Sequence, residues 1–593
     1  MDVLSWMRPA SYFIFITILI APVLIAQQLA LPPTRAVLID DPVRDGWSTE
    51  VISQAAGKQL KQLGALLTQP EPVSPDAAAT LVTADFHCKP LQPAQLETVF
   101  QDGTVTVRRM LSPTSTVDDD PETDIVSVLG ALRGRYSGGA SERAELKIVG
   151  IVVLPTSFET TVLVSLFGRT DAGNLEENST WRCAWVRRDS EAPRLKTIAV
   201  EAYEQVAVTL AGPLFADCSE AVMGHNAWYR EHLLYSTVYW AQRLETAQGS
   251  SIDGHNGIAI DDVDGDGLDD VYIAQTGGLP NRLLRRNADG TVTDIAASAG
   301  VDWLDSTRGV LFGDFDNDGD ADLVCGTDDG LQFNENDGNG HFTLLGTTEM
   351  GKSAHALAAA DYDNDGDLDL FAGIYFPLHD RGTVIAYAVP YFNATNGGTN
   401  VLLRNDGDFQ FSDVTKLLGL DEGSTRYAFA ASWEDYDNDG DQDLYVANDF
   451  GPNLLYRNDL DKDSGEGRFV EVAPAVGAED RGFSMSAAWS DVDNNGWMDL
   501  YIANMYSAAG NRIVTQEKFF EGDPAMREYM QYLARGNTLL QNDHGAFTDV
   551  SDEAGVMMGR WGWGSPFCDI NNDSWDDLLV GNGNLTNKRE HDL

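Results

Sequence analysis

The sequence predicts a mainly β protein: a run of four-stranded units preceded by an α+β domain. Three observations carry this. An Asp-rich nonapeptide recurs six times from Asp262 onward. Each copy lies between apolar, β-rich runs such as "GVLFG" and "LVCG" around Asp314. A second motif with a strand, a Gly/Asn/Asp turn and another strand follows most copies.

The six loops begin at Asp262, Asp314, Asp361, Asp435, Asp491 and Asp569, so their starts are 52, 47, 74, 56 and 78 residues apart. The two long gaps hold insertions near 374–398 and 505–536. Without them the period is near 50, the length of a propeller blade. The second motif reads "NRLLRRNADG" from Asn281, "NVLLRNDGDFQFSDVT" from Asn400, "NLLYRND" from Asn453 and "NTLLQNDHGAFTDVS" from Asn537. Each unit is therefore strand, acidic loop, strand, strand, turn, strand, and radial repetition of such units gives a β-propeller. The sixth unit lacks its own second motif before Leu593. Six units are recognisable, and closure then needs another segment or further chain.

The loop has the form D-x-[DN]-x-[DN]-[GS]-x-x-D. Carboxylates this dense repel one another unless a cation sits among them. Oxygens at positions 1, 3, 5 and 9, with the backbone carbonyl of position 7, can wrap one hard cation, and glycine at position 6 permits the turn. An all-oxygen set without nitrogen or sulfur points to Ca²⁺, about six ions in all. The expected ligands are Asp262, Asp264, Asp266, Leu268 and Asp270; Asp314, Asp316, Asp318, Asp320 and Asp322; Asp361, Asp363, Asp365, Asp367 and Asp369. They continue with Asp435, Asp437, Asp439, Asp441 and Asp443; Asp491, Asp493, Asn495, Trp497 and Asp499; and Asp569, Asn571, Asp573, Trp575 and Asp577. The fifth and sixth loops carry Asn for one Asp and are expected to bind more weakly. An EF-hand would need Glu at position 12 and flanking helices. Here position 12 is apolar in all six: Ile273, Cys325, Ala372, Val446, Ile502 and Val580.

These motifs resemble the FG-GAP/VCBS repeats of integrin-α-type β-propellers, and more particularly bacterial FG-GAP proteins of the cartilage-acidic-protein-like type. The resemblance covers about 251–584. It implies a calcium-stabilised propeller, exported and used for adhesion or interaction. The FG-GAP signature itself is partial ("LFGDF"), and such propellers have seven blades where six units are visible here.

The net charge of −52 argues against nucleic acid or anionic membrane as a partner. Tyr12–Ala30 is the one membrane-grade apolar run. It reads as an uncleaved anchor or a signal peptide, and either exports the rest of the chain to the cell envelope, periplasm or exterior. Residues 32–212 lack the Asp-rich repeat. They read as two helices, Ser48–Leu67 and Thr123–Arg135, then four long strands over 145–206. The order, with "STWRCAWVRR" and "LKTIAVEAYEQV", resembles the NTF2/SnoaL-like cone fold. Residues 213–250 read as a helical connector. The five cysteines, Cys88, Cys183, Cys218, Cys325 and Cys568, form no CxxC or zinc spacing; inert buried thiols are the default, with a disulfide among the first three as the alternative.

Catalytic residues are not evident. Nine histidines are scattered singly, and His87 beside Asp85 reads as packing. The leading reading is a non-enzymatic propeller that contacts protein or glycan, with recognition on the two aromatic insertions. The alternative is an extracytoplasmic polysaccharide lyase or hydrolase using the propeller face or an N-terminal pocket. Trp433, Trp489 and "RWGWG" at Arg560 read as core-rim packing rather than sugar stacking.

Overall fold

A computed structural model describes residues 47–110, 123–188, 191–210, 215–235, 239–240, 243–244, 256–328, 330–350, 353–375, 388–461 and 467–583. The apolar segment Tyr12–Ala30 lies outside these. Among the described residues no helix is long and apolar enough to cross a membrane. The chain divides into two compact units, Met1–Leu214 and Phe215–Leu593.

The first unit is α+β. Helix α1 (Ser48–Thr68) buries Ala56, Leu60, Leu63 and Leu67, a 3–4 spacing that puts one apolar stripe against the core. Helix α2 (Pro75–Leu81) is capped by Ser74. Strands β1 (Glu97–Gln101) and β2 (Val105–Arg109) form a hairpin, and α3 (Ile125–Arg133) starts where the Asp124 carboxylate accepts the N–H groups of Val126 and Ser127. Strands β3 (Arg143–Val153), β4 (Ser157–Thr170), β5 (Gly173–Val186) and β6 (Arg194–Val208) complete a six-stranded antiparallel sheet, ordered β1-β2-β6-β5-β4-β3. Strand β4 alternates buried and half-buried residues through most of its length, so one face meets the helices. Within the sheet, buried Glu177 on β5 accepts from the Tyr136 hydroxyl at 2.6 Å and from Tyr203 and Arg135. His87 Nδ1 lies 3.0 Å from the Asp85 backbone oxygen.

The second unit holds five four-stranded antiparallel sheets, among the described residues. Sheet I is Ile258–Asp261, Asp270–Ile273, Arg282–Arg286 and Val292–Asp294. Sheet II is Thr307–Gly313, Asp322–Thr327, Gly330–Asn336 and Phe342–Glu349. Sheet III is Ala354–Ala360, Asp369–Ile374, Val401–Asn405 and Phe411–Asp413. Sheet IV is Ala428–Glu434, Asp443–Asn448, Leu454–Asn458 and Phe469–Glu471. Sheet V is Ser484–Ser490, Asp499–Asn504, Thr538–Asp543 and Ala546–Asp549. In the sixth unit Gly562–Gly564 pairs with Gly581–Asn582, and Phe567–Cys568 with Asp577–Leu578.

The second strands of sheets II to V are buried at every residue, which requires cover on both faces. Successive sheets supply it. Tyr362, Phe371 and Leu402 of unit III share a core with Leu444, Val446 and Tyr456 of sheet IV. Comparable cores join I to II, II to III and IV to V, and Tyr501 and Leu539 of sheet V meet Phe567, Leu578 and Val580. The first strands of consecutive sheets lie against one another through the series. Trp433 and Trp489 pack against these cores.

The segment read as a connector packs within this unit. Trp228 and Tyr229 cluster with Leu284 and Val292, and Asn226 donates to the Val292 carbonyl at 2.8 Å while accepting from Asp294 N–H at 3.0 Å. Its side chain thus pairs with the outer strand of sheet I. The second insertion is helical: α4 (Ala508–Val514) and α5 (Pro524–Ala534). Residues 376–387 of the first insertion fall outside the described residues. Its end packs on the second: Tyr529 donates to the Phe392 carbonyl at 2.7 Å, and the Tyr391 hydroxyl donates to Met530 Sδ at 3.6 Å. All five cysteines are free thiols; Cys88, Cys183 and Cys325 are buried, while Cys218 and Cys568 are exposed.

Candidate metal centre

Each acidic loop joins the first strand of a sheet to the second, and position 9 opens the second strand. There the Asp is buried in all five complete sheets: Asp270, Asp322, Asp369, Asp443 and Asp499. One of its oxygens accepts the position-2 N–H of its own loop, as Asp322 does from Phe315 at 3.0 Å. The other accepts an N–H from the third strand, as Asp322 does from Asn336 at 2.9 Å. The same pair of bonds recurs at Asp270, Asp369, Asp443 and Asp499.

Position 1 fixes the turn. The Asp314 oxygens accept the N–H groups of Asp318 and Gly319, each at 3.1 Å, and Asp318 accepts the N–H of Asp320 at 3.0 Å. The turn needs left-handed backbone at positions 4 and 6. Asn317 has φ 62° and Gly319 φ 97°. Asparagine tolerates that region, and glycine enters it without strain.

This scaffold gathers carboxylates. In the first, second, fourth and fifth loops the oxygens of positions 1, 3 and 9 lie within 4.8 Å of one another; in the third loop Asp361, Asp363 and Asp365 do. In three loops a position-3 oxygen, Oδ1 of Asp264, Asp363 or Asp437, is buried with no hydrogen-bond partner. A buried unsatisfied carboxylate oxygen is costly, so each calls for a cation. Burial, with repulsion from neighbouring loop aspartates, lifts Asp270 and Asp499 to about 6, Asp322 to about 7, and Asp369 and Asp443 to about 8. The backbone N–H bonds oppose this only in part. The residues fit a hard divalent cation held by carboxylates. Such an ion would supply the positive charge that the clustered oxygens lack.

The sixth loop keeps the hydrogen-bond frame. Asp569 accepts from Asp573 and Ser574 N–H, and Asp577 from Ile570 N–H at 3.1 Å. With Asn571 at position 3 it brings one charge fewer. At position 7, where a carbonyl ligand is expected, the Asp367 and Asp441 side chains serve another purpose: they accept from Asn317 and Asn364 of the preceding loops.

Sequence reasoning missed the asparagines. Those closing the third strands reach back to the preceding loop: Asn336, Asn405, Asn458 and Asn542 donate to the position-2 carbonyls of Val263, Phe315, Tyr362 and Tyr436 at 2.8–2.9 Å. Those opening the motif reach forward, Asn281 to Thr307 and Asn453 to Ser484 of the next first strand. Fixed places in "NxLxxN" were the signal for Asn405, Asn453, Asn458 and Asn542, whereas Asn336 ends "LQFNEN", outside that motif. The equivalent residue in sheet I is Arg286, and no repeat loop precedes it in the chain.

The comparisons with known proteins fall on this geometry. A family model described as an FG-GAP-like repeat matches residues 262–325, 314–372 and 435–502. Cartilage acidic protein 1 of Xenopus tropicalis is 38% identical over 89 residues, 14% of this chain and 14% of that protein. Its Homo sapiens counterpart is 37% identical over 78 residues, 13% of this chain and 12% of that protein. The matched stretch thus spans only a small part of these relatives. A solved structure of an Agrocybe aegerita lectin covers 54% of this chain and 73% of its own, at 16% identity and a TM-score of 0.32, too low to carry an argument. The family matches all lie in the second unit and lend no support to the cone-fold resemblance of the first. The chain carries FG-GAP-like repeats, one spanning each of the loop pairs 262–325, 314–372 and 435–502.

Proposed function

We propose that this protein is a non-enzymatic, calcium-stabilised propeller that acts outside the cytoplasm as an adhesion or interaction module for a protein or glycan. The observation that carries the reading is the recurrence of the carboxylate trio, each within 4.8 Å, at the same corner of five stacked sheets. Sheets whose cores run in series favour a radial arrangement. Extracellular modules bind calcium at about 10⁻⁴–10⁻³ M, a range that suits a compartment rich in calcium. The apolar Tyr12–Ala30 segment would deliver the chain there as an anchor or a signal. Both insertions leave from the end of a second strand, opposite the acidic loops, and so put the recognition surface on the other face.

The test is binding and turnover with the full chain, in calcium and in EDTA, on immobilised glycans and envelope proteins. The reading expects calcium-dependent binding without turnover. Cleavage of a polysaccharide would replace it with the lyase or hydrolase alternative.

A further inference from the structure

Helix α5 has a concave space along one side. Between it and the segment that leads from sheet IV into sheet V is a pocket of about 500 Å³, within the range of small-ligand sites. One wall is α5, with Glu528, Tyr529 and Tyr532; the other carries Glu479 and Arg481. The aromatic wall is held in place from behind. The Tyr529 hydroxyl donates to the Phe392 carbonyl at 2.7 Å, and the Tyr532 hydroxyl accepts from Arg535 at 2.9 Å. Arg481 is ion-paired with Glu479 and lies 5.8 Å from the centre of the Tyr529 ring. Glu528 makes no ion pair or hydrogen bond among the described residues.

The lining combines two aromatic rings with a guanidinium donor and carboxylate acceptors. That mixture suits a ligand with an apolar face and a rim of hydroxyls. An anion would enter against a net charge of −52 with only one, already paired, arginine to meet it. A cation could pair only with Glu528, because Glu479 is already engaged by Arg481, and the amino sugars of the panel below test that case. A purely apolar ligand would strand the charged groups. We propose that this pocket binds a neutral saccharide of about one or two rings. The proposal names the ligand class of the interaction module above and rests on that reading.

The experiment uses the full chain, calcium-loaded, with saturation-transfer NMR and calorimetry on a panel of neutral, uronic-acid and amino sugars. At least one neutral sugar should bind, and Arg481→Met and Glu528→Gln should each weaken it at least tenfold. Both variants should keep the wild-type melting temperature and calcium stoichiometry. No neutral sugar bound, binding indifferent to both variants, or a preference for charged sugars would overturn the assignment. If a protein partner still binds in calcium while no sugar does, only the pocket assignment fails. If neither binds, the interaction reading fails with it.

Discussion

Asn405, at the end of the third strand of sheet III, donates from Nδ2 to the carbonyl of Phe315 in the acidic loop of sheet II at 2.8 Å. The same amide reaches the Leu368 carbonyl at 3.3 Å, and its oxygen accepts Gly407 N–H at 3.1 Å. One buried side chain therefore ties an acidic loop to the sheet that follows it. Asn405→Ala would strand buried carbonyls and should cost about 2–4 kcal/mol. Denaturant unfolding at saturating calcium checks this, and a loss below about 0.5 kcal/mol, the scale of an ordinary surface change, would remove the latch from the account.

Asp363 should show opposite effects with and without calcium. Its Oδ1 is buried without a partner, and it sits among Asp361 and Asp365. Asp363→Asn removes repulsion and one ligand charge together, while its amide oxygen can still face the ion. The variant should melt higher than wild type in EDTA and lower in calcium, with the ion of that loop bound more weakly. A variant that melts lower in both conditions would make Asp363 a packing residue.

The pH response follows from the position-9 aspartates. Their folded values, about 6 to about 8, lie above the ordinary carboxylate value of 3.8. A carboxyl raised on folding prefers the protonated native state. Its contribution is full below about pH 4 and is lost as pH rises through 6 to 8. Metal-free protein should therefore lose stability from pH 5 to 8.5. With calcium the ion displaces those protons, so affinity should rise over the same window and binding should release protons. Melting curves in EDTA and in calcium, with calorimetry in two buffers of different ionisation enthalpy, check both signs.

The first unit has its own weak point. Glu177 accepts from Tyr136, Tyr203 and Arg135 in a buried site. Glu177→Leu leaves a mostly buried guanidinium without its partner and should destabilise that unit by about 3–5 kcal/mol. Calcium stoichiometry should not change. The check is a two-probe melt with a calcium titration.

Much of the second unit was legible because its signals are local. Aspartates at spacing two, a turn residue at position 6 and an apolar position 12 place a loop between strands without reference to the rest of the chain. In the second insertion the helix start is equally local, with Asp523 capping α5. The latches were not. Asn405 and Phe315 are 90 residues apart, and nothing local says that a strand-end asparagine serves the neighbouring sheet. Likewise Asn317, at positive φ in its own loop, also bonds Asp367 of the next loop at 2.6 Å. The packing of Trp228 and Tyr229 on sheet I escaped a reading that treated 213–250 as a linker, because an amphipathic pattern does not name the surface it covers.

The central claim is that cations hold the corners of these sheets. The most direct measurement is a calcium titration of the full chain, with melting followed in calcium and in EDTA. Four sites and a weaker fifth and sixth are expected. At tenfold over its dissociation constant each filled site adds about 1.4 kcal/mol, so EDTA should lower the melting temperature by more than about 10 °C. One or no equivalents bound, with the same melt in both conditions, would contradict the account.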